Sequence, residues 1–377
     1  MRIAVVALAL IWAGVCIDAT QNGGQSRLLP EMGKGGTVPL SGEALYQGAC
    51  AACHGRHGRG MPQPSVGFEL PLPDFTDCQF ANREPDQDWL AVSHEGGPAR
   101  GFDRLMPAFG DVMSPDDMAR VIAHVRSFCP DPAWPRGELN MPRALVTEKA
   151  FPEDEAVFTM AVDTDRPSST ASKLVYEKRF GANNQIELIV PFDTTRTAGD
   201  TFSGGLGDIA VGFKRSVYHN ARSGSILALA GEVILPTGDE SEGFGSGVTK
   251  VEPFVAFGQA LPADSFFQVQ AGVELPMDRA LHDESFFRFV GGRSFTEGRF
   301  GRTWSPMMEL VGARELAQGE PVLWDVVPQV QITLNTRQHI MFNAGVRVPV
   351  NAREGRSTRV LFYILWDWFD GGLGSGW

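Results

Sequence analysis

From residue 155 onward the sequence alternates apolar and polar residues in segments of about ten, and no other feature limits the possible folds as strongly. In residues 265–275, for example, Phe267 and Val269 fall on one face and Gln268 falls on the other. Successive side chains of a β-strand point to opposite faces, so segments with this period are strands of a sheet with one apolar face. A soluble β-sandwich and a membrane barrel both fit such strands.

The connections between the segments favour the barrel. Tight turns such as GANN, ALPADS and NTR alternate with long glycine-rich loops such as DTTRTAGDTFSGG and PTGDESEGFGSG. Outer-membrane barrels have an even number of strands, with short turns at one end and long loops at the other. We therefore predict an antiparallel transmembrane β-barrel of about 12 strands. The predicted strands are 155–164, 171–180, 185–193, 206–218, 225–236, 247–259, 265–276, 284–295, 302–314, 321–334, 338–349 and 357–369.

Two stretches of this region resemble outer-membrane barrels of the porin-like transporter type, including a group linked to aromatic-compound degradation. They are GGLGDIAVGFKR at 204–215 and the aromatic last strand LFYILWDWF. The resemblance implies a barrel over residues 155–377 in contact with outer-membrane lipid, with a small solute or a metal ion as a possible passenger. The polar residues predicted to face the lumen mix both charges, so they either line a passage or fill a narrow interior. They are Glu187, Lys214, Glu232, Glu252, Glu274, Arg288, Glu309, Asp325 and Arg347.

The N-terminus predicts export. Arg2 precedes an apolar run over residues 3–15, and the small residue Ala19 offers a cleavage point. The run is short for a spanning helix, so residues 1–19 are predicted to be a signal peptide, with a retained anchor as the alternative. Residues 20–40 form a short segment after it. A net charge of −12 argues against nucleic acid as a partner.

The stretch YQGACAACHGRH at residues 46–57 carries the clearest chemical motif. Cys50 and Cys53 are three apart and His54 follows at once. A zinc site would need a second ligand pair, and a thioredoxin-type pair would sit in a βαβ pattern. The adjacent histidine instead favours c-type haem, in which two thiols form thioethers and the imidazole binds iron.

The flanks of this motif predict a helical domain. Ser41 is placed to cap a helix that ends at the cysteines, and Met106 and Pro107 lie in a short loop. Ser114 and Pro115 then open a helix whose apolar residues recur at helical spacing.

Residues 41–129 resemble class I c-type cytochromes in these features: a helix carrying CAACH, a Met-Pro loop and a closing helix. The resemblance implies one covalent haem c attached to Cys50 and Cys53, with His54 as proximal and Met106 as distal ligand. His94, Met61 and Met113 are the alternative distal ligands. With both axial positions filled, electron transfer is expected and a catalytic residue is not.

The remaining cysteines and prolines complete the domain plan. Cys16 leaves with the signal peptide, and Cys78 and Cys129 are predicted to pair in an oxidising periplasm. Five prolines between residues 130 and 154 predict an extended, stiff linker.

Together the two halves predict a periplasmic haem domain tethered to an outer-membrane barrel. With an even number of strands, the first strand begins and the last strand ends on the same side of the membrane, which is the periplasmic side. Twelve strands give a diameter of roughly 24 Å, so a domain with a radius of gyration of about 13 Å docks at the mouth and does not enter. The predicted function is electron transfer with periplasmic redox proteins. The alternatives are a porin with an auxiliary cytochrome, a structural anchor, and a protein that resembles the fused cytochrome–porins that oxidise ferrous iron at the cell surface, which would make it an enzyme.

Overall fold

A computed structural model describes residues 39–164, 169–196, 202–369 and 371–377. The predicted signal peptide at 1–19, with Cys16, lies outside the described residues, as do residues 20–38. Within these ranges, no helix is both long enough and apolar enough to cross a membrane.

The first described part of the chain is helical and follows its capping residues. Ser41 accepts a hydrogen bond from the Ala44 amide at 3.1 Å, and Ser114 and Asp117 form a capping box. These caps satisfy amides that have no partner at a helix start. The helices are α1 (Gly42–Ala49), α2 (Ala51–His54), α3 (Gln63–Val66), α4 (Cys78–Ala81), α5 (Asp86–Glu95) and α6 (Pro115–Arg126), with short 3-10 helices at Gly97–Arg100 and Gly137–Leu139.

Helices α1 and α6 form the centre of this domain. Gly42 allows them to cross closely, because a Cβ atom at this position would collide with the Arg120 carbonyl group. Tyr46, Val121 and Val125 are buried between them. The predicted disulfide is confirmed: Cys78 at the start of α4 is bonded to Cys129 after α6.

The second part of the chain consists of long antiparallel strands and two short ones. The strands are β1 (Glu155–Asp163), β2 (Ser169–Phe180), β3 (Asn184–Arg196), β4 (Phe202–Leu206), β5 (Ala210–Asn220), β6 (Ser225–Ile234), β7 (Lys250–Leu261), β8 (Ser265–Pro276), β9 (Glu284–Arg293), β10 (Phe295–Thr296), β11 (Thr303–Glu315), β12 (Leu323–Thr333), β13 (Ile340–Pro349) and β14 (Arg359–Asp367).

Twelve of these strands close into a barrel. Sequential neighbours pair, β9 pairs with β11, and β1 pairs with β14 to complete the ring. The short strands β4 and β10 pair only with β3 and β11, and β3 pairs with β5 in the ring. The prediction of 12 antiparallel strands is confirmed. We call the end where β1 begins and β14 ends the turn end, and the opposite end the loop end.

The two faces of the barrel wall differ as the alternation predicts. Leu174, Ile186 and Phe213 point outward and are exposed, whereas Gln185 and Lys214 point inward and are buried. An outer apolar face and a polar interior are the arrangement of a transmembrane barrel.

The interior of the barrel contains a segment of the chain itself, residues 139–154, which we call the lumen segment. Leu139, Met141, Leu145 and Phe151 pack against inward-facing residues of the strands. The sequence predicts a spacer here because prolines and charges are typical of linkers. In the structure those charges are buried in ion pairs, so the segment lies inside the lumen instead of separating two bodies.

Candidate functional site

The residues of the CAACH motif lie at the end of α1 and in α2. The His54 ring stacks on Phe75 with ring centroids 4.9 Å apart and planes at 29°. Cys50 and Cys53 are free thiols, each partly accessible. The Tyr46 hydroxyl beneath them donates to the Gly55 carbonyl at 2.8 Å, which fixes the backbone after the motif.

A cavity of about 490 Å³ lies against this motif, and Cys50, Cys53, His54 and Met106 all line it. The structure therefore brings together all four predicted site residues. The wall between them is mainly apolar and is built by Phe68, Leu70, Leu72, Phe75, Phe80, Trp89, Val92, Leu105 and Phe109.

The environment of the motif favours neutral side chains. Burial lowers the pKa of His54 to about 4, so its imidazole is unprotonated at neutral pH. Burial, together with the neighbouring Cys53, raises the pKa of the Cys50 thiol to about 11. The buried Nδ1 atom of His54 has no hydrogen-bond partner among the described residues. A neutral imidazole is the form that binds a metal.

Met106 reaches the cavity from a loop held by backbone hydrogen bonds. The Gly97 amide donates to the Met106 carbonyl at 2.9 Å, and the Met106 amide donates to the Asp103 carbonyl at 3.3 Å. Gly96 has a φ of +85°, and a Cβ atom there would press on the Met106 carbonyl group. A glycine is therefore required for the loop to pass this close.

The alternative distal ligands lie elsewhere. His94 does not line the cavity: its Nδ1 atom is 2.8 Å from Glu95 Oε1 and its Nε2 atom is 2.6 Å from Arg299 Nη1. Met113 packs against the core of the helical domain, and Met61 is exposed at the surface. Among the candidates, only Met106 shares the cavity with His54.

The residues around the cavity fit a c-type haem. Two thiols, one imidazole and one thioether sulfur are the groups that such a haem uses for attachment and axial ligation. The cavity volume also falls within the range of about 300–1,000 Å³ that is usual for ligand sites.

Two further residues of this wall come from the barrel and carry no motif in the sequence. Arg337 and His339 line the cavity, and they belong to the turn between β12 and β13. Arg100, from the 3-10 helix of the helical domain, lies beside them. The only signal in the sequence is that NTRQH is a short turn at the end where the helical domain docks.

The lumen segment is held by one carboxylate in particular. Glu309 accepts hydrogen bonds from the Leu145, Val146 and Thr147 amides at 2.9, 3.1 and 2.8 Å. Gln329 accepts a further bond from the Leu145 amide at 3.0 Å. A buried carboxylate with several amide donors is strongly stabilised, so Glu309 anchors the segment at mid-depth.

Buried ion pairs hold the segment on both sides of the residues that bind Glu309. Arg143 contacts Glu155 at 2.5 Å and Glu177 at 3.0 Å. Lys149 contacts Glu153 at 2.5 Å and Glu155 at 3.4 Å. The predicted mixture of lumen charges is therefore largely used inside the protein, and Arg347 with Asp325 and Lys250 with Glu274 add two more pairs.

Three lumen carboxylates are close enough to share a cation. Oxygen atoms of Glu148, Glu177 and Glu187 lie within 4.8 Å of one another. Arg143 already contacts Glu148 at 3.4 Å and also contacts Glu177. Part of the negative charge is thus balanced by the protein, and this group does not by itself define a metal site.

The helical domain and the barrel are similar to different known proteins. Residues 38–125 match the family "Cytochrome C oxidase, cbb3-type, subunit III". A search of curated proteins finds no match.

Several solved structures are similar to the chain at low identity. One is an outer membrane channel from Pseudomonas putida F1, with 10% identity, a TM-score of 0.42, and coverage of 60% of this chain and 99% of that one. The KdgM porin has 10% identity, a TM-score of 0.36, and coverage of 56% and 98%. The β domain of the Bordetella autotransporter BrkA has 12% identity, a TM-score of 0.36, and coverage of 56% and 98%.

The match over residues 38–125 and the closed ring of strands that follows confirm the predicted fold. The chain is a cytochrome c domain followed by a closed, 12-stranded antiparallel β-barrel.

Proposed function

We propose that the protein is an electron carrier whose single haem c is covalently bound by the N-terminal domain and anchored to the outer membrane by the barrel. The observation that carries this proposal is that Cys50, Cys53, His54 and Met106 line one cavity. Cys50 and Cys53 would attach the haem, and His54 and Met106 would ligate its iron. When bound, the haem supplies a one-electron carrier.

In this function the protein holds the redox centre in a site of low polarity. With His54 and Met106 as its two protein ligands, the iron would have no position left for a substrate. The aromatic and aliphatic walls exclude water and favour the less charged state of the centre. Phe75, stacked on the His54 ring, fixes the orientation of that ligand.

The barrel serves as the anchor in this proposal. Its exposed apolar outer face suits lipid, and its turn end carries the helical domain. Gln87 Nε2 donates to the Arg299 carbonyl at 3.2 Å, and Arg100 Nη1 donates to the Phe300 carbonyl at 2.7 Å. Short turns of outer-membrane barrels face the periplasm, so the haem domain would lie there with periplasmic redox proteins as partners.

A second candidate is a solute channel with an auxiliary cytochrome. The mixed charges of the lumen favour it, because a polar interior is common to channels of this kind. The lumen segment opposes it, because residues 145–147 cross the interior at mid-depth and are bonded to Glu309. Iron oxidation at the cell surface rests on the resemblance to fused cytochrome–porins and is a narrower form of the first proposal.

One experiment separates these functions. The full chain is purified in detergent, tested for covalent haem on a denaturing gel, and placed in liposomes that contain a sealed oxidant. We expect a haem that reductant reduces from its own side and liposomes that do not leak small solutes. Solute leakage that is independent of the haem would favour the channel. Reduction of the sealed oxidant by external ferrous iron would favour the surface iron oxidase, and the absence of covalent haem would overturn the proposal.

A further inference from the structure

The turn between β12 and β13 is a rigid part of the barrel. Asn335 Oδ1 accepts hydrogen bonds from the His339 amide at 2.9 Å and the Ile340 amide at 3.1 Å. The C-terminal residues support the turn from outside, since the Thr336 amide donates to the Gly376 carbonyl at 2.7 Å. Side chains on this turn are therefore held in place before any ligand arrives.

Arg337 projects from this turn into the wall of the cytochrome cavity. Its Nε atom donates to the Arg100 carbonyl at 3.2 Å, and its Nη2 atom donates to the Gly101 carbonyl at 2.9 Å. Its guanidinium lies 4.2 Å from the centre of the Phe102 ring. These contacts fix the plane of the guanidinium and join the barrel to the helical domain at the cavity.

The charged residues of the cavity wall belong to other elements than Cys50 and Cys53 do. They belong to α5 and the segment before it, to the 3-10 helix and the loop after it, and to the barrel turn, whereas Cys50 lies between α1 and α2 and Cys53 lies in α2. Asp88 is paired with Arg100 at 2.5 Å and Glu84 with His339 at 3.5 Å. The charged lining residues are Glu84, Asp88, Arg100, Asp103, Arg337 and His339.

A haem attached through its vinyl groups has its two propionates at the opposite edge of the ring. Attachment at Cys50 and Cys53 would therefore direct the propionates away from the CAACH motif, and the charged lining residues belong to the other elements of the wall. Carboxylates in a partly buried site need cationic donors, and a guanidinium with a fixed plane suits a carboxylate best. We propose that Arg337 binds a haem propionate, so that the barrel supplies part of the haem site; this proposal rests on the function proposed above.

The consequence is that the redox potential depends on the barrel. A positive charge beside the haem disfavours the ferric state, which carries one more positive charge than the ferrous state. Arg337 therefore raises the midpoint potential when the helical domain is docked on the turn end. It is a positioning residue for the cofactor, because it contacts neither the iron ligands nor the attachment cysteines in any described bond.

The test is a spectroelectrochemical titration of the full-length protein in detergent, with covalent haem confirmed on a denaturing gel. Arg337→Gln keeps hydrogen-bond donors and removes the charge, and Arg337→Lys keeps the charge. The matched control is Arg302→Gln, at the same end of the barrel, whose Nη2 atom donates to the Leu334 carbonyl at 3.2 Å and which does not line the cavity.

We expect a lower midpoint potential in R337Q, a potential near that of the unmodified protein in R337K, and no change in R302Q. The resonance Raman propionate bending mode should also shift in R337Q, which a purely structural role would not produce. An unchanged potential and an unchanged propionate mode in haem-loaded R337Q overturn this inference. If R337Q does not fold, R337K decides: an unshifted propionate mode in R337K overturns the contact, because lysine cannot reproduce the guanidinium geometry. The absence of covalent haem from the unmodified protein would overturn the proposed function instead of this inference.

Discussion

The molecule has two interiors, and they are lined in different ways. The cytochrome cavity has mainly apolar walls, with two thiols, an imidazole and a thioether sulfur at defined places. The barrel lumen is polar, and its carboxylates and amides bind the lumen segment of the same chain. The difference shows how each interior satisfies its polar groups: the first presents groups that suit a cofactor, and the second is completed by its own chain.

The largest expected effect comes from the attachment cysteines. The double variant Cys50→Ala/Cys53→Ala should lose covalent haem completely, because no thioether can form. A denaturing gel stained for haem measures this. The double variant Cys78→Ser/Cys129→Ser is the control, since its disulfide lies outside the attachment motif and it should keep its haem. Covalent haem in the first variant would contradict the assignment.

Removing the ion pairs of the lumen segment should displace the segment and open the barrel. Arg143→Ala removes the ion-pair partner of Glu177 and one of the two partners of Glu155, the other being Lys149. Breaking a buried ion pair costs about 3–5 kcal/mol. Because about 1.4 kcal/mol corresponds to a factor of ten, the population with a displaced segment should rise by roughly 100-fold or more. Single-channel conductance in planar bilayers measures it.

The control for this experiment is Lys250→Gln. Lys250 pairs with Glu274 at 2.8 Å, and this pair is partly exposed and makes no described hydrogen bond to the lumen segment. It should leave conductance unchanged. Equal conductance in the Arg143→Ala variant and the unmodified protein would show that the segment does not close the lumen.

Met106 should determine access of external ligands to the iron. In Met106→Ala the iron would lose its second protein ligand, so the visible spectrum should change. Cyanide would no longer compete with the Met106 sulfur, and its affinity should rise by at least about tenfold, which corresponds to about 1.4 kcal/mol. Met113→Ala is the control, since Met113 packs against the domain core and does not line the cavity. Unchanged cyanide binding in Met106→Ala would remove Met106 as the distal ligand.

The smallest expected effect is on the pH dependence of the redox potential. Burial, with the charge of Glu84, raises the pKa of Asp88 to about 6, while Arg100 and His339 also face this carboxyl and oppose the shift. Asp88 becomes negative as the pH rises through about 6, and a negative charge beside the cavity favours the ferric state. The midpoint potential should therefore fall with rising pH around this value.

The slope should stay below about 59 mV per pH unit, the limit for one proton per electron. Asp88→Asn should flatten it, and Asp116→Asn, in the exposed first turn of α6, should not. A slope that persists in Asp88→Asn would assign the effect to another group.

The sequence predicts the barrel and the cytochrome c domain because both depend on local patterns. The period of two places Gln268 and Gln270 inside the barrel and Val269 outside, and the structure agrees. The capping residues Ser41 and Ser114 likewise mark helix starts by local hydrogen bonds.

What the sequence could not predict depends on distant contacts. Residues 139–154 have the composition of a linker, and distant contacts place them in the lumen, among them the bonds to Glu309 and Gln329, more than 160 residues away. Arg337 similarly reaches the cytochrome cavity only because the β12–β13 turn lies where the helical domain docks. The role of His94 was also open in the sequence, and its contacts with Glu95 and Arg299 resolve its position.

The path of the lumen segment has a mechanical consequence. Gly137 precedes the segment and Glu155 follows it, and both lie at the turn end of the barrel. The segment therefore enters and leaves the lumen through the same opening. Such a loop can be withdrawn without unpairing β1 from β14, whereas a strand threaded through both ends could not. A force that pulls the helical domain away from the membrane therefore loads the docking contacts first, then the bonds to Glu309, and the strands of the barrel last.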